Sequence, residues 1–236
     1  MNLLDKEFLL VDKPAGMSSF AVVARVRRIL TEQMKEDYVK RGLTPPKKAK
    51  VGHAGTLDPF ATGLLICLLG KGTKKAGEFL KKDKRYGATI CLGKTSTTGD
   101  IEGEITDGDF SEERIPDRSL VTSAVNSFCG KIKQKVPAYS AVKINGRRAY
   151  DLARKGVKVE MPEREIEVYE IVVVDYKWPY LKIDCKVSSG TYIRALGEDI
   201  GKALGVGGYL TELRRTEIGD YSIEDAITLE KLGVTD

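Results

Sequence analysis

The sequence predicts an α/β (α+β) fold in which helices pack on a mixed, largely antiparallel sheet. Apolar runs of strand length alternate irregularly with segments of helical periodicity, a pattern typical of mixed folds. Residues 166–175 and 180–187 alternate apolar and polar positions and are separated only by Lys177-Trp178-Pro179, which predicts a hairpin. The 236 residues, 42% of them hydrophobic, suffice for a substantial core, and no repeat or clear boundary divides them. A single domain over residues 1–236 is therefore expected.

Each predicted element follows from its local pattern. Short apolar runs that end at turn residues indicate strands, and apolar residues at helical spacing after a capping Ser indicate helices. The segment Thr31–Lys50 carries six Lys/Arg against three acids and is expected to be a partly helical excursion followed by a loop. In chain order, the elements predicted besides the hairpin are a strand at Phe8–Val11, a helix capped by Ser18 or Ser19, a buried strand at Leu64–Leu69, a Lys-rich amphipathic helix opened by Gly72-Thr73, a strand at Tyr86–Leu92, a helix at Leu120–Phe128 and a helix that follows Ser189-Gly190-Thr191 and ends near Leu204-Gly205.

The composition argues against several classes of protein. No apolar run approaches the roughly 18–20 residues of a membrane-spanning helix, and the N-terminus does not resemble a signal peptide. Four well-separated cysteines and one His make a zinc site or a disulfide framework improbable, so reduced thiols and a cytoplasmic location are expected. Gly93-Lys94-Thr95 lacks the upstream glycine of a phosphate-binding P-loop, which argues against nucleotide hydrolysis.

The charge is unevenly distributed although the net charge is only +5. Residues 71–85 carry seven Lys/Arg against two acids, and residues 131–158 carry nine against one. Residues 98–118 carry eight acids. A single run of this kind is usually the solvated face of a helix or hairpin. Two basic blocks with a compensating acidic block favour one basic face that suits a phosphate backbone.

The segment 51–65, VGHAGTLDPFATGLL, is the strongest candidate for a functional site. It contains the only His of the chain, and its aspartate, Asp58, directly precedes a proline. One interpretation is an aspartate that bonds to nearby amides in a turn, as Asp-Pro segments often do. The other is a single carboxylate on a rigid loop that acts as nucleophile or base at a sugar. Ordinary glycosidases need two carboxylates because the leaving oxygen must be protonated, whereas a reaction that reattaches the detached base can use one.

Five blocks of the sequence resemble the TruB family of tRNA pseudouridine synthases. GHAGTLDPFATGLL resembles the defining motif of the family, and four further blocks follow the family order. These blocks are LLVDKPAGMSS (9–19), KRYGATICLGKTSTTGD (84–100), VPAYSAVKINGRRAYDLARKG (136–156), and SGTYIRALGEDIGKALG with LRR (189–205, 213–215). The resemblance implies the pseudouridine synthase fold and conversion of uridine-55 in the tRNA T-loop to pseudouridine. It implies no cofactor and no metal. The uracil is released, rotates and is reattached to the same ribose, which accounts for the lone acid.

The resemblance also implies roles for single residues. Asp58 is the expected catalytic residue, and Lys13 with Pro14 is expected to support its loop. Tyr192 and Arg194 belong to the T-Y-I-R match, and Arg194 is expected to pair with Asp58 and keep it ionised. The expected substrate-binding residues are His53, which fills the space of flipped bases, Tyr86, which stacks on the uracil, Tyr192, Arg194 and Leu213, which lines the uracil site. The expected contacts to the RNA backbone are Lys143, Arg147, Arg148 and Arg154. For His53, Tyr86 and Leu213, an ordinary structural role is the alternative.

The sequence departs from the family pattern at two places. Bacterial members usually carry a small C-terminal RNA-binding domain of the PUA type, and this chain, which ends at Asp236, is expected to lack it and to bind RNA more weakly. Thr31–Lys50 is a longer, basic insertion.

The expected partner is the T-arm of tRNA. The enzyme is expected to be a monomer that needs no membrane and no obligatory protein partner. The alternatives are the catalytic subunit of a guide-RNA-dependent pseudouridylation particle and a tRNA-folding chaperone that uses the same surface.

Overall fold

The computed structural model describes residues 1–108, 110, 114–140, 142–144, 146–153, 156–157 and 160–233. The chain forms two compact units, of which unit 1 comprises Met1–Arg85 and Arg214–Asp236, and unit 2 comprises Tyr86–Leu213. The division into two compact units does not test the single catalytic domain expected from the sequence, which stays a prediction.

Unit 1 contains the N-terminal strands and helices together with the C-terminal strands. Two strands, β4 and β12, have residues in both units. The elements are β1 (Phe8–Lys13), α1 (Ser19–Lys40), β2 (Val51–Ala54), β3 (Thr62–Leu69), a 3-10 helix (Gly70–Lys75), α2 (Ala76–Leu80), the start of β4 (Lys84–Leu92), the end of β12 (Gly208–Ile218), β13 (Tyr221–Ser222), a 3-10 helix (Ile223–Asp225), β14 (Ile227–Thr228) and a 3-10 helix (Glu230–Leu232).

Strand β3 lies at the centre of unit 1. It pairs antiparallel with β1 and with β2, and parallel with β12 at its N-terminal end. Its near-continuous apolar sequence, TGLLICLL, is explained by burial on both faces. Leu65, Cys67 and Leu69 pack with the apolar stripe of α1, whereas Leu64, Ile66 and Leu68 pack with Phe79 of α2. Each fully buried Leu or Ile contributes about 1.5–3 kcal/mol relative to an exposed position. This burial holds β3 in place, including its N-terminal end, where the loop that follows β2 joins the strand.

Unit 2 contains the predicted hairpin and the last long helix. Its elements are β4 (Lys84–Leu92, from Tyr86), β5 (Lys94–Ser96), β6 (Ile105–Asp107), α3 (Arg118–Asn126), β7 (Gly130–Lys135), β8 (Lys143–Ile144), β9 (Arg147–Arg148), α4 (Ala149–Ala153), β10 (Glu163–Lys177), β11 (Tyr180–Val187), α5 (Ile193–Ala203) and the first half of β12. The strand order in its sheet is β12-β4-β11-β10-β7. Strand β10 pairs antiparallel with β11 and with β7, whereas β5 with β6 and β8 with β9 form separate two-stranded ribbons.

The structure confirms the fold class, a mixed α/β fold with mostly antiparallel strands and packed helices. The predicted strands at residues 8–11, 64–69 and 86–92 and the hairpin are present, each with bounds extended by a few residues. Helix α1 runs on to Lys40, so the first half of the basic insertion is helical and the second half is a loop. The helix expected from Gly72 is instead a 3-10 turn followed by the five-residue α2. At Gly72 a Cβ atom would lie 2.0 Å from the Glu7 carbonyl oxygen, so tight packing rather than helical periodicity governs this segment.

Candidate active site

Asp58 lies in the loop between β2 and β3 of unit 1, half-buried, and its carbonyl accepts a hydrogen bond from the Ala61 amide at 3.1 Å. The side chain of Lys13 is fully buried beneath this loop and donates to the carbonyls of Pro14 (2.8 Å), Met17 (2.6 Å) and Pro59 (3.1 Å). A buried ammonium is costly unless each of its three N–H groups finds an acceptor, and all three do here. Lys13 therefore ties the turn after β1 to the residue that follows Asp58.

Ser19 holds the other side of the same loop. Its hydroxyl donates to the Leu57 carbonyl and accepts from the Leu57 amide, both at 2.8 Å, and the residue is almost fully buried. The neighbouring Ser18 caps helix α1 by accepting from the Ala21 amide at 3.1 Å. The sequence offered either serine as the cap. The structure assigns the cap to Ser18 and leaves Ser19 to fix the residue that precedes Asp58, a role that the sequence analysis missed.

Arg215 braces both ends of the Asp58 loop. Its side chain, 1% exposed, donates from Nε to the Leu64 carbonyl at 2.8 Å and from Nη2 to the Gly55 carbonyl at 3.0 Å. At Gly63 a Cβ atom would lie 2.3 Å from the Arg215 carbonyl oxygen, and the backbone φ of +101° is also one that only glycine adopts easily. Arg215 lies in the matched LRR block without an assigned role. Its position two residues after Leu213, on the inward-facing side of β12, is the signal that would have identified it.

His53 lies on β2, opposite Cys67 of β3. Its Nδ1 atom is buried and has no hydrogen-bond partner among the described residues. Burial lowers the pKa of the imidazole, and the nearby Arg215 charge lowers it further. The ring is therefore neutral at physiological pH, which suits contact with uncharged base faces. Its predicted role as a wedge in the T-loop stays a prediction.

Arg194, at the start of α5 in unit 2, is 5% exposed and forms an ion pair with Asp100, which is 2% exposed, at 3.3 Å. Its guanidinium also donates to the carbonyls of Thr98 and Tyr139, each at 2.8 Å. Asp100 in turn accepts from the Thr98 hydroxyl at 2.6 Å and from the Glu102 amide at 3.0 Å. Arg194 thus has a buried partner that the sequence analysis did not identify, although Asp100 closes the quoted block KTSTTGD. The predicted pair of Arg194 with Asp58 stays a prediction.

Tyr192 directly precedes α5 in an extended conformation. The Arg164 guanidinium lies 5.7 Å from the centroid of its ring, a cation–π contact. The ring also packs on a small apolar cluster of Val136, Ala149 and Met161. Unit 2 therefore holds both the Tyr and the Arg of the T-Y-I-R match at the start of one helix.

Tyr86 and Leu213 are the first and last residues of unit 2, on β4 and β12 respectively. They are 8% and 7% exposed. This burial suits both interpretations, residues that line a uracil site and residues of an ordinary core. Their substrate roles stay predictions.

Three of the four expected RNA-backbone residues fall in a short β-ribbon. Lys143 of β8 is the register partner of Arg148 of β9, and Ile144 that of Arg147. The Arg147 side chain is exposed. Arg154 lies outside the described residues. Two adjacent basic residues on one strand of a short ribbon suit contact with phosphates, and these assignments stay predictions.

The described residues offer no sign of a metal centre or a membrane span. Within the described residues, no three His, Cys, Asp or Glu side chains come together to hold a metal ion. Of the four free cysteines, Cys129 is exposed and the other three are buried. No helix in the described part of the chain is long and apolar enough to cross a membrane.

Comparison with known proteins identifies the same family along almost the whole chain. The model for the TruB family pseudouridylate synthase N-terminal domain matches residues 40–193, and that for the tRNA pseudouridylate synthase B C-terminal domain matches residues 194–234. The chain is 45% identical to tRNA pseudouridine synthase B of Phocaeicola vulgatus over 98% of its length and 93% of that protein. It is 43% identical to the corresponding protein of Corynebacterium diphtheriae, covering 98% of this chain and 73% of that protein.

Solved structures show a similar fold. The Cbf5-Nop10-Gar1 complex contains a chain that is 31% identical with a TM-score of 0.65. The match covers 95% of this chain and about half, 53%, of that one. The H/ACA RNP bound to a substrate RNA containing 2'-deoxyuridine gives a TM-score of 0.62 at 28% identity, over 97% of this chain and 56% of that one. With 154 of its 236 residues (40–193) inside the first family model, the chain belongs to the TruB family of pseudouridylate synthases.

Proposed function

We propose that this protein is an isomerase that converts uridine-55 in the T-loop of tRNA to pseudouridine. The 45% identity to a tRNA pseudouridine synthase B over nearly the full chain carries the proposal. The geometry of unit 1 supports it, because the half-buried Asp58 is held by residues on both sides and beneath its loop. A rigid loop that presents one carboxylate suits a reaction in which the detached base is kept and reattached.

In the proposed reaction the C1′–N1 glycosidic bond of the uridine breaks and a C1′–C5 bond forms after rotation of the uracil. The hydrogen at C5 is lost as a proton, and N1 gains one, so the product is an isomer of the substrate and no cofactor is consumed. Asp58 acts at the ribose as nucleophile or base. Tyr86, Tyr192 and Leu213 hold the uracil, and the neutral ring of His53 offsets part of the cost of unstacking the T-loop bases, which is a few kcal/mol.

The direct experiment is incubation of the purified protein with an unmodified tRNA transcript in the absence of guide RNA, followed by mapping of pseudouridine. Formation at position 55, and its absence from a transcript with cytidine at that position, would support the proposal. A requirement for a guide RNA would favour the particle subunit instead. Refolding of tRNA without any pseudouridine would favour the chaperone. The identity to a protein named tRNA pseudouridine synthase B is higher than that to the matched chain of the Cbf5-Nop10-Gar1 complex, 45% against 31%, which favours a reaction without a guide RNA.

Replacement of Tyr86 tests the stacking role. We expect Tyr86→Phe to bind and modify tRNA nearly normally, because the face of the ring is kept. Tyr86→Ala is expected to lose about 1–3 kcal/mol in substrate recognition or turnover, the usual contribution of a base stacked on an aromatic ring. The measurement is the dissociation constant and the single-turnover rate for both variants. Parental values of both quantities in Tyr86→Ala would show that the tyrosine is an ordinary core residue.

The salt dependence of binding tests the basic face. Each phosphate neutralised by the protein adds roughly 0.7–0.9 to the slope of log K against log salt concentration. Replacing Arg147, Arg148 and Arg154 together by Ala is expected to flatten this slope by about one to two units. The loss should be equal for tRNA and for an isolated T-arm stem-loop, because phosphate contacts do not read sequence.

Three exposed lysines of the same unit provide the control for this variant, since Lys177, Lys182 and Lys202 lie outside the basic block. Their joint replacement by Ala removes the same total charge and should leave the slope unchanged. If both triple variants behave like the parent, the 131–158 block is only a solvated surface. Equal flattening by both would show that the net charge, rather than a defined contact, sets the slope.

A further inference from the structure

Gln134, on β7 of unit 2, is completely buried, whereas the lysines that flank it in the sequence, Lys133 and Lys135, are exposed. Its side-chain amide binds the main chain of Tyr192 at both polar groups. Nε2 donates to the Tyr192 carbonyl at 3.1 Å, and Oε1 accepts from the Tyr192 amide at 2.8 Å. Since the Tyr192 amide can only donate and its carbonyl can only accept, the orientation of the Gln134 amide is fixed.

The register of the sheet places a second group on the same tyrosine. Gln134 is the direct partner of Arg164 in the antiparallel pair of β7 and β10. Arg164 is the residue whose guanidinium lies over the ring of Tyr192 at 5.7 Å. The Tyr192 carbonyl also accepts the first hydrogen bond of α5, from the Leu196 amide at 3.1 Å. One cross-strand pair thus fixes both the backbone and the ring of Tyr192.

Burying a polar side chain completely is unfavourable unless its hydrogen bonds are made, and an apolar residue would fill the position without that cost. The two bonds of Gln134 go to a single residue 58 positions away, which is a residue of the T-Y-I-R match. We propose that Gln134 is a positioning residue for the isomerisation, which acts by holding the Tyr192 ring in the orientation that the uracil requires. The inference rests on the proposed function and names a determinant that neither the sequence motifs nor the family match assigned.

The test is the Gln134→Met variant, which keeps the volume of the side chain and removes both hydrogen bonds. The rate of pseudouridine formation is measured under single turnover on an unmodified tRNA transcript, together with the dissociation constant for the same tRNA. We expect the rate to fall about 10- to 100-fold, the effect of misplacing a reacting group by roughly an ångström. The dissociation constant should change less than about threefold, because most of the affinity comes from phosphate contacts.

A double-mutant cycle separates positioning from a general loss of structure. If Gln134 acts only through the ring of Tyr192, then Gln134→Met should change the rate less than about threefold in a Tyr192→Ala background. Thr89→Val is the control, because it removes a part-buried side-chain hydrogen bond of the same unit, from the buried Thr89 to the exposed Glu212 at 2.7 Å, that does not involve Tyr192. It is expected to modify tRNA at the parental rate. Should Gln134→Met fail to fold, Arg164→Met tests the ring contact, with a smaller loss that also disappears in the Tyr192→Ala background.

The outcomes distinguish this inference from the proposed function. A parent protein that forms no pseudouridine contradicts the proposed function and the inference with it. An active parent whose Gln134→Met variant retains the parental rate overturns the inference alone. Losses that add fully in the Tyr192→Ala background also overturn it, because Gln134 would then act through some other group.

Discussion

The Asp58→Asn protein is expected to form no pseudouridine on a tRNA that the parent modifies completely. Asparagine keeps the size of the side chain but is neither a base nor a useful nucleophile, so the step at the ribose loses its reacting group. A general base or nucleophile alone accounts for at least about 10²–10⁴-fold in rate. Binding of tRNA should stay within a few-fold, since the carboxylate acts on the sugar rather than on the phosphates. The measurement is pseudouridine mapping after prolonged incubation, with tRNA affinity determined in parallel.

The anchored loop makes this result interpretable. Lys13, Ser19 and Arg215 bind main-chain carbonyls and amides around Asp58, so these contacts survive the substitution. Asp220→Asn is the matched control, since its side chain is 95% exposed in the same unit, and it should be fully active. Measurable turnover by Asp58→Asn or Asp58→Ala on the native tRNA would show that Asp58 is not the catalytic residue. The motif around Asp58 would then no longer support the proposed function.

The second large effect is expected from Asp100→Asn. This change removes the negative charge that faces Arg194 in a pair whose side chains are only 6% and 3% exposed. Removing one partner of a buried ion pair leaves an uncompensated charge and costs about 3–5 kcal/mol. The amide can still accept from the Thr98 hydroxyl and the Glu102 amide, so the local turn is kept. The expected result is a large drop in the urea concentration at the midpoint of unfolding. We also expect pseudouridine formation to be lost, because Arg194 at the start of α5 is no longer held in place.

Asp107→Asn is the control for charge in the same region. Asp107 also pairs with a cation, Lys94, but its side chain is 84% exposed. Exposed pairs contribute about 0–1 kcal/mol, so this variant should unfold almost like the parent. Equal effects of the two substitutions would mean that burial does not strengthen the Asp100–Arg194 pair. A stable Asp100→Asn protein would show that the carbonyls of Thr98 and Tyr139 alone can hold the arginine.

Much of the fold could be predicted because local pattern and burial agree. The continuous apolar run of β3 indicated a strand buried on both faces, and the alternation around Lys177-Trp178-Pro179 indicated the hairpin. The segment after Gly70 misled because its lysines repeat at helical spacing, whereas the decisive contact, Gly72 against the Glu7 backbone, is made with a residue distant in the sequence. Periodicity carries no information on such contacts.

The candidate site shows the same division. Asp58, Tyr192 and Arg194 could be proposed from the sequence because they lie in segments that resemble the motifs of the family, and their roles stay predictions. Ser19, Asp100 and Arg215 were missed as structural partners, because their roles depend on which main-chain groups lie near them after folding. Gln134 shows what the sequence cannot reveal, since a polar residue between two lysines is expected to be exposed. Its complete burial and its two hydrogen bonds to Tyr192 in the folded protein reveal that it faces inward.

The bracing of the Asp58 loop by Arg215 also bears on how the protein is made. Lys13 and Ser19 contact the loop over separations of 46 and 38 residues, so these contacts become available early during synthesis. The contacts of Arg215 span 151 and 160 residues and cannot form until Arg215 itself has left the ribosome. Unit 1 is discontinuous, whereas unit 2 is a single uninterrupted stretch that can fold first. The nascent protein therefore carries a half-braced Asp58 loop until Arg215 has emerged, and the strand that contains Arg215 completes the bracing.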